Sequence, residues 1–210
     1  MSDKKNVFFV GLDPFNLETL RTLPQAAECE FHSALSLAEM RDDPEADILS
    51  MIETAAERMS CVEGGVDGVT SFFDFPGTII ASILANRFDL PGPSLESLLK
   101  CEHKYWGRLE QQKVAADSIP AFQVFDPADP DAYQKIDLLP PFWIKPIKSF
   151  RSYLAYAIQD EKQFNEVMEV CRSKGPEIVE PFKTLMGAYD MPPAFTEMPE
   201  TFLAESTISG

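Results

Sequence analysis

The sequence predicts an α/β protein, in which an open parallel sheet with flanking helices is followed by a small α+β domain of antiparallel strands. Over the first 90 residues, apolar runs typical of strands alternate with helical patterns, which indicates βαβ units. From residue 119 onward, prolines separate short aromatic and β-branched runs, which favours antiparallel strands. We place an α/β domain at 1–92, a linking helix at 93–119 and the second domain at 120–210.

The N-terminal domain begins with the apolar run NVFFVGL at 6–12, which is typical of a strand buried on both faces of a parallel sheet. Its other elements are predicted as strands at 30–36 and 66–73, and as helices at 14–21, 47–59 and 76–88. The helix at 47–59 carries apolar residues at helical spacing, which predicts one buried face. That face comprises Ile48, Met51, Ile52, Ala55, Ala56 and Met59.

Ligands of open α/β sheets bind beyond the carboxyl ends of the strands, so the loops at 11–13 and 73–76 are candidate substrate contacts. Asp13 and Asp74 lie in these loops. For either residue, a simple role as a helix cap is the favoured interpretation. Gly11 lacks the further glycines of a GxGxxG motif, which excludes a dinucleotide site.

The second half opens with a predicted helix at 94–116, capped by Ser94. Lys100, Lys104 and Arg108 are spaced four apart and so share one face of this helix. The later elements are predicted as strands at 121–124, 142–145, 153–158 and 201–207, and as a helix at 160–173 with Phe164, Val167, Met168 and Cys171 facing inward. The proline-punctuated segment at 176–199 gives no prediction.

The composition limits the function classes. The chain has 34 acidic and 18 basic residues among 210, a formal net charge of −16, which argues against non-specific binding to nucleic acid or to anionic membranes. No apolar run is long enough to span a bilayer, and the first ten residues do not fit a signal peptide. The four cysteines form no CxxC pair, so we expect reduced thiols and a cytoplasmic protein. The two histidines are isolated, so we predict no histidine-based chemistry and no metal ligand.

The segment FWIKPIKSFRSYLAYAI at 142–158 is the most informative part of the sequence. Lys145 ends a β-rich run, Pro146 stops it, and a polar loop with Ser149, Arg151 and Ser152 follows. These side chains are hydrogen-bond donors suited to an anion. Taken alone, an ordinary surface hairpin with solvated charges is the favoured interpretation of this segment.

Three segments, taken in their order along the chain, favour an anion site over a surface hairpin. They are LPGPSLESLLKCEHKYWGRLEQQKVAADSIPAF at 90–122, Lys145 with the proline that follows it, and FLAESTISG at 202–210. Together they resemble the ATP-grasp superfamily of carboxylate ligases. Members have a Gly-Pro-Ser opening a helix that contains a lysine, then an Ile-Pro. A strand lysine before proline, a polar loop with serine and a strand ending in an acidic hinge follow.

The resemblance implies a site for ATP. Lys104 and Lys145 would contact its phosphates, and the loop at 149–152, with Ser149, Arg151 and Ser152, would close over them. Glu205 would accept a hydrogen bond from the adenine amino group, and the backbone from Ser206 to Ile208 would read the adenine edge. The ring would lie in an apolar slot formed by Ile144, Phe202 and Leu203.

Two departures from the family pattern limit what we expect of the chain. The loop reads KSFRS and contains no glycine, which leaves Arg151 as a substitute donor. The sequence ends at Gly210, where the family's hinge leads into its catalytic half. We expect the Mg²⁺ ligands and the arginine that steadies the acyl-phosphate in that half. The chain alone should therefore bind magnesium-ATP weakly or not at all and should catalyse no reaction.

The leading hypothesis is the N-terminal part of an ATP-dependent carboxylate–amine or carboxylate–thiol ligase that acts on a small carboxylate through an acyl-phosphate. A non-catalytic nucleotide-binding or regulatory module of the same fold is the alternative. An unrelated α/β protein whose motifs match by chance is a third. A homodimer is left open among the partners.

Overall fold

A computed structural model of the chain describes residues 4–41, 47–149, 151–189 and 201–208. The chain forms two compact units, Met1–Leu99 and Lys100–Gly210. One contains a three-stranded parallel sheet and the other a four-stranded antiparallel sheet, which confirms the predicted fold class. The domain boundaries at 92 and 119 stay predictions.

The first unit alternates strands and helices as expected for βαβ connections. Its elements are β1 (Lys5–Leu12), α1 (Pro14–Arg21), a 3-10 turn (Pro24–Glu28), β2 (Cys29–Ser36), α2 (Leu37–Arg41), α3 (Ile48–Ser60), β3 (Gly68–Ser71) and α4 (Gly77–Arg87). The strand order is β2-β1-β3, and both pairings are parallel. All six apolar residues predicted for the inner face of α3 are buried.

The two acidic residues beyond β1 and β3 have different surroundings. Asp13 caps α1, because its Oδ1 accepts a hydrogen bond from the Asn16 backbone N–H at 2.7 Å. Asp74 is exposed, and no side-chain capping bond is made at the start of α4. The cap interpretation is therefore confirmed for Asp13 and wrong for Asp74.

Residues 94–116 form two helices, α5 (Leu95–Glu102) and α6 (Lys104–Ala115), and the prediction of one continuous helix is wrong. The break lies at His103, which has an extended ψ of 102° and accepts a hydrogen bond from the Trp106 backbone N–H through Nδ1 at 3.1 Å. A capping side chain thus starts a new helix. Lys104 and Arg108 share a face of α6, while Lys100 lies on α5.

The second unit is built on the sheet order β4-β7-β5-β6, in which every pairing is antiparallel. After α6 come a 3-10 turn (Ala116–Ser118), β4 (Phe122–Phe125), α7 (Ala132–Lys135), β5 (Phe142–Pro146), β6 (Tyr156–Ile158), α8 (Glu161–Ala188) and β7 (Phe202–Ser206). The strand predicted from residue 153 therefore begins three residues later. The intervening turn includes Leu154, whose φ of +55° is incompatible with a strand.

Helix α8 continues fifteen residues beyond the predicted end at 173. Its added part buries Val179, Phe182 and Leu185, at 4%, 0% and 0% exposure. Burial of these apolar side chains favours the longer helix over the weak local propensity of the proline-containing segment.

The antiparallel sheet has one apolar face and one face that carries charges. Its apolar face packs on α8 in a core of Phe125, Phe142, Ile144, Leu154, Ile158, Phe164, Met168, Cys171, Phe202 and Ala204. Since side chains alternate along a strand, Lys145 and Glu205 project from the opposite face. In the described part of the chain, no helix is long and apolar enough to cross a membrane.

Candidate functional site

The charged face of the antiparallel sheet brings Lys145 and Glu205 together. In the β5–β7 register, Lys145 is opposite Leu203 and Trp143 is opposite Glu205, so the two charged residues are diagonal neighbours. The Lys145 ammonium forms an ion pair with Oε2 of Glu205. Two residues that the sequence separates by 60 positions therefore meet in one site.

Helix α6 supplies a second cation to the same carboxylate. The Arg108 Nε donates to Oε1 of Glu205 at 2.5 Å, and its Nη1 donates to the Gln111 Oε1 at 2.5 Å. Glu205 is only 5% exposed. Each of its two oxygens thus has its own cation, Arg108 from the helix and Lys145 from the neighbouring strand.

Lys104 ties the start of α6 to the chain that follows β5. Its Nζ donates to the Ser149 carbonyl oxygen at 2.7 Å and to the Ser149 Oγ at 3.1 Å. Its backbone N–H donates to the Ile147 carbonyl oxygen at 2.9 Å. The predicted lysine and the predicted loop serine are therefore in direct contact.

A further ion pair, which the sequence analysis missed, joins Lys148 to Glu102 at the end of α5. The two side chains are 3% and 12% exposed, and the Lys148 Nζ lies 5.9 Å from the centre of the Phe182 ring. Lysine is almost never so deeply buried without a partner. The pairing spans 46 residues and has no local sequence signal; the only hint is a second lysine soon after Lys145.

These contacts assemble a charged cluster in the second unit, which we call the cationic cluster: Lys104, Arg108, Lys145, Lys148, Glu102 and Glu205. Four cations and two carboxylates leave an excess of two positive charges in a chain whose formal charge is −16. Such a concentration of positive charge favours a polyanionic ligand.

The cluster shifts the pKa values of its members. Burial, with the neighbouring Lys148 and Lys145 charges, lowers the pKa of Lys104 to about 8. Burial raises the pKa of Glu205, but hydrogen bonds from Arg108 and Lys145 outweigh it and leave that pKa below its ordinary value. Near neutral pH, Lys104 is therefore cationic and Glu205 is an ionised carboxylate that only accepts hydrogen bonds.

The loop after Lys148 adopts backbone conformations that usually require glycine. Arg151 and Ser152 have φ values of +50° and +58°, and both side chains are exposed. Phe150 lies outside the described residues. The absence of glycine from this loop therefore does not prevent the left-handed backbone, although each such residue costs about 1–2 kcal/mol.

The predicted hinge is partly held by the sheet. The Ser206 backbone N–H donates to the Ala121 carbonyl oxygen at 2.9 Å, and its Oγ accepts from the Ala121 N–H at 3.1 Å. Ile208 is 73% exposed. The predicted apolar slot is wrong in part, because Ile144 and Phe202 lie in the core on α8, on the face opposite Glu205. Leu203, two residues from Glu205 in β7, lies on the charged face.

The described residues do not fit a magnesium site. None of them form a group of three or more His, Cys, Asp or Glu side chains that could hold a metal ion. The two carboxylates of the cationic cluster are each paired with lysine, which competes with a metal for their oxygens. We therefore derive no step through a metal.

Comparisons with known proteins give matches in structure but not in sequence. No protein-family model and no curated protein sequence matches the chain. A crystal structure of L-amino acid ligase from Bacillus licheniformis matches 100% of this chain and 46% of its own, with a TM-score of 0.61 and 17% identity. D-alanine–D-alanine ligase from Bacillus anthracis matches 99% of this chain and 58% of its own, with a TM-score of 0.58 and 13% identity.

A third neighbour is the carboxyaminoimidazole ribonucleotide synthase of Aspergillus clavatus, whose structure is complexed with ATP. It covers 99% of this chain and 48% of its own, with a TM-score of 0.55 and 11% identity. The chain thus spans about half the length of these three proteins, all of which are ATP-grasp enzymes. With its parallel-sheet unit and its antiparallel-sheet unit, the chain shares the fold of these ATP-grasp enzymes over about half of their length.

Proposed function

We propose that the chain is the nucleotide-binding part of an ATP-dependent carboxylate–amine or carboxylate–thiol ligase that works through an acyl-phosphate. The observation that carries this proposal is the cationic cluster, which gathers four positive side chains on one unit of a strongly acidic protein. The fold shared with ATP-grasp ligases supports it. In phosphoryl transfer the protein chiefly positions the phosphates and neutralises their charge, which is what such a cluster can do.

Each side chain has a role in this proposal. Lys104 and Lys145 bind the phosphates as point charges, and the exposed Arg151 and Ser152 close over them with Ser149. Glu205 accepts a hydrogen bond from the adenine amino group, beside the backbone of Ser206 and Ile208. Lys148 lies too deep to reach a ligand and instead holds the loop in place through Glu102.

The reaction of the whole protein is also part of the proposal. The acceptor is a small carboxylate, and Mg²⁺ accompanies ATP, with ligands outside the residues described here. A cytoplasmic location is consistent with the four cysteines, all of which are free thiols.

A titration of the 210-residue chain followed by amide NMR tests nucleotide binding, because it detects weak complexes. We expect ATP and inorganic tripolyphosphate to shift the resonances of Lys104, Lys145 and Ser149, and we expect saturation in the millimolar range. Resonances of α8 at Lys162, whose side chain is 86% exposed, should not move and serve as the control. Phosphate release should stay at background. All four cations of the cationic cluster belong to this chain, so the proposal commits to weak binding rather than none, and unchanged spectra with both ligands would refute it.

A further inference from the structure

Glu205 divides its two oxygens between two cations of different kinds. Oε2 is held by Lys145, a flexible point charge that the proposed function assigns to the phosphates. Oε1 is held by Arg108, whose guanidinium is planar, always charged and fixed further by Gln111. On the proposed function, a polyphosphate would compete with Glu205 for Lys145, whereas Arg108 has no phosphate to bind. Nucleotide binding would then free one oxygen of Glu205 and keep the other occupied.

The protonation of Glu205 then depends on Arg108. Glu205 is 5% exposed, and burial alone favours the neutral form of its carboxyl group. Once Lys145 turns to the phosphates, Arg108 is the cation in direct contact with it. The other charge that faces Glu205 is Lys104 from α6, while β4 (Phe122–Phe125) carries no charged side chain. An ionised carboxylate accepts hydrogen bonds only, whereas a neutral carboxyl both donates and accepts.

This difference has a consequence for the choice of base. The 6-amino group of adenine donates a hydrogen bond, which an ionised Glu205 accepts. The 6-oxo group of hypoxanthine or guanine only accepts, so it is repelled by the same carboxylate. On the proposed function, we infer that Arg108 is a specificity-determining residue that selects 6-amino purine nucleotides by holding Glu205 as an ionised acceptor.

The test compares the affinities of ATP and ITP, which differ at the 6-position and the adjacent N1, for the 210-residue chain near pH 7. We expect the wild type to prefer ATP by about tenfold or more, since a lost hydrogen bond to a charged group is worth at least that factor. Arg108→Met should reduce the preference to within about threefold, because a neutral Glu205 can donate to the 6-oxo group. Arg108→Lys keeps the charge and should keep the preference.

A pH series separates this role from simple loss of structure. In Arg108→Met, the preference for ATP should return as the pH rises and Glu205 ionises, while in the wild type it stays constant. The titration of Lys104 affects both nucleotides alike and cancels in the ratio. Lys113→Met, on the same helix with a 65% exposed side chain, is the matched control and should behave as wild type.

The outcomes distinguish this inference from the proposed function. If the wild type binds neither tripolyphosphate nor ATP, the proposed function fails and the inference fails with it. If ATP binds but Arg108→Met keeps the wild-type preference at every pH, the assignment of Arg108 alone is overturned. Equal affinities of the wild type for ATP and ITP would also overturn the assignment of Arg108 alone. Arg108→Gln, which is also neutral, replaces the methionine variant if that variant does not fold.

Discussion

Lys148 and Glu102 form an ion pair that is almost fully removed from solvent, with side-chain exposures of 3% and 12%. The pair joins the end of α5 to the residues after β5, next to the Lys104–Ser149 contact. A buried pair of this kind contributes little net stability compared with apolar side chains, but removal of one partner leaves an uncompensated charge.

We therefore expect Lys148→Met to lower the free energy of unfolding of the second unit by about 3 kcal/mol. The double variant Lys148→Met/Glu102→Leu should recover most of this loss, because no charge remains buried. Urea denaturation measures both. Lys162→Met changes an exposed lysine on α8 and should have no measurable effect. A Lys148→Met protein as stable as wild type would show that the pair is not buried.

The lowered pKa of Lys104 predicts a pH dependence of anion binding. The protonated amine binds phosphate, and burial brings its pKa from the ordinary 10.5 down to about 8. The affinity for tripolyphosphate should therefore fall roughly eightfold between about pH 7.5 and 9, well before an ordinary lysine loses its charge. Lys104→Arg stays charged and should show no such fall. Identical profiles for the two proteins would contradict the shifted pKa.

The left-handed backbone at Ser152 predicts opposite effects of glycine at two serines. At Ser152, φ is +58°, so Ser152→Gly should raise the free energy of unfolding by about 0.5 kcal/mol and Ser152→Val should lower it by about 1–2 kcal/mol. Ser173 is an exposed residue of α8, where Ser173→Gly should instead lower it by about 0.5 kcal/mol. Thermal unfolding checks these signs, and loss of stability in Ser152→Gly would refute the assigned conformation.

The sequence predicts the pattern of elements well because apolar periodicity reports burial directly. The inner face of α3 and the inward residues Phe164, Met168 and Cys171 of α8 follow from spacing alone. The break at His103 and the extension of α8 cannot be predicted from apolar spacing. The break depends on one capping side chain, and the extension depends on the tertiary burial of Phe182 and Leu185.

The candidate site, too, can be predicted only in part from the sequence. The resemblance to ATP-grasp ligases predicts that Lys145 and Glu205 belong to one site, which stays a prediction, and the structure shows that the two side chains form an ion pair. It does not identify the pairing of Arg108 with Glu205, which are 97 residues apart, because no local pattern encodes a contact between a helix and a distant strand. Which face of the sheet each strand residue occupies also decides which apolar residues border the site. The predicted slot includes Ile144 and Phe202, but both side chains lie on the opposite, core face of the sheet.

The central claim, that the cationic cluster binds the phosphates of ATP, is tested most directly by the affinity of ATP for Lys145→Ala and Lys162→Ala, measured by the same NMR titration. Lys145 is a half-buried member of the cluster, while Lys162 is an exposed lysine of α8. We predict binding about tenfold weaker or more for Lys145→Ala, the loss expected for one charged hydrogen bond, and wild-type affinity for Lys162→Ala. Equal affinities of the two variants for ATP would contradict the claim.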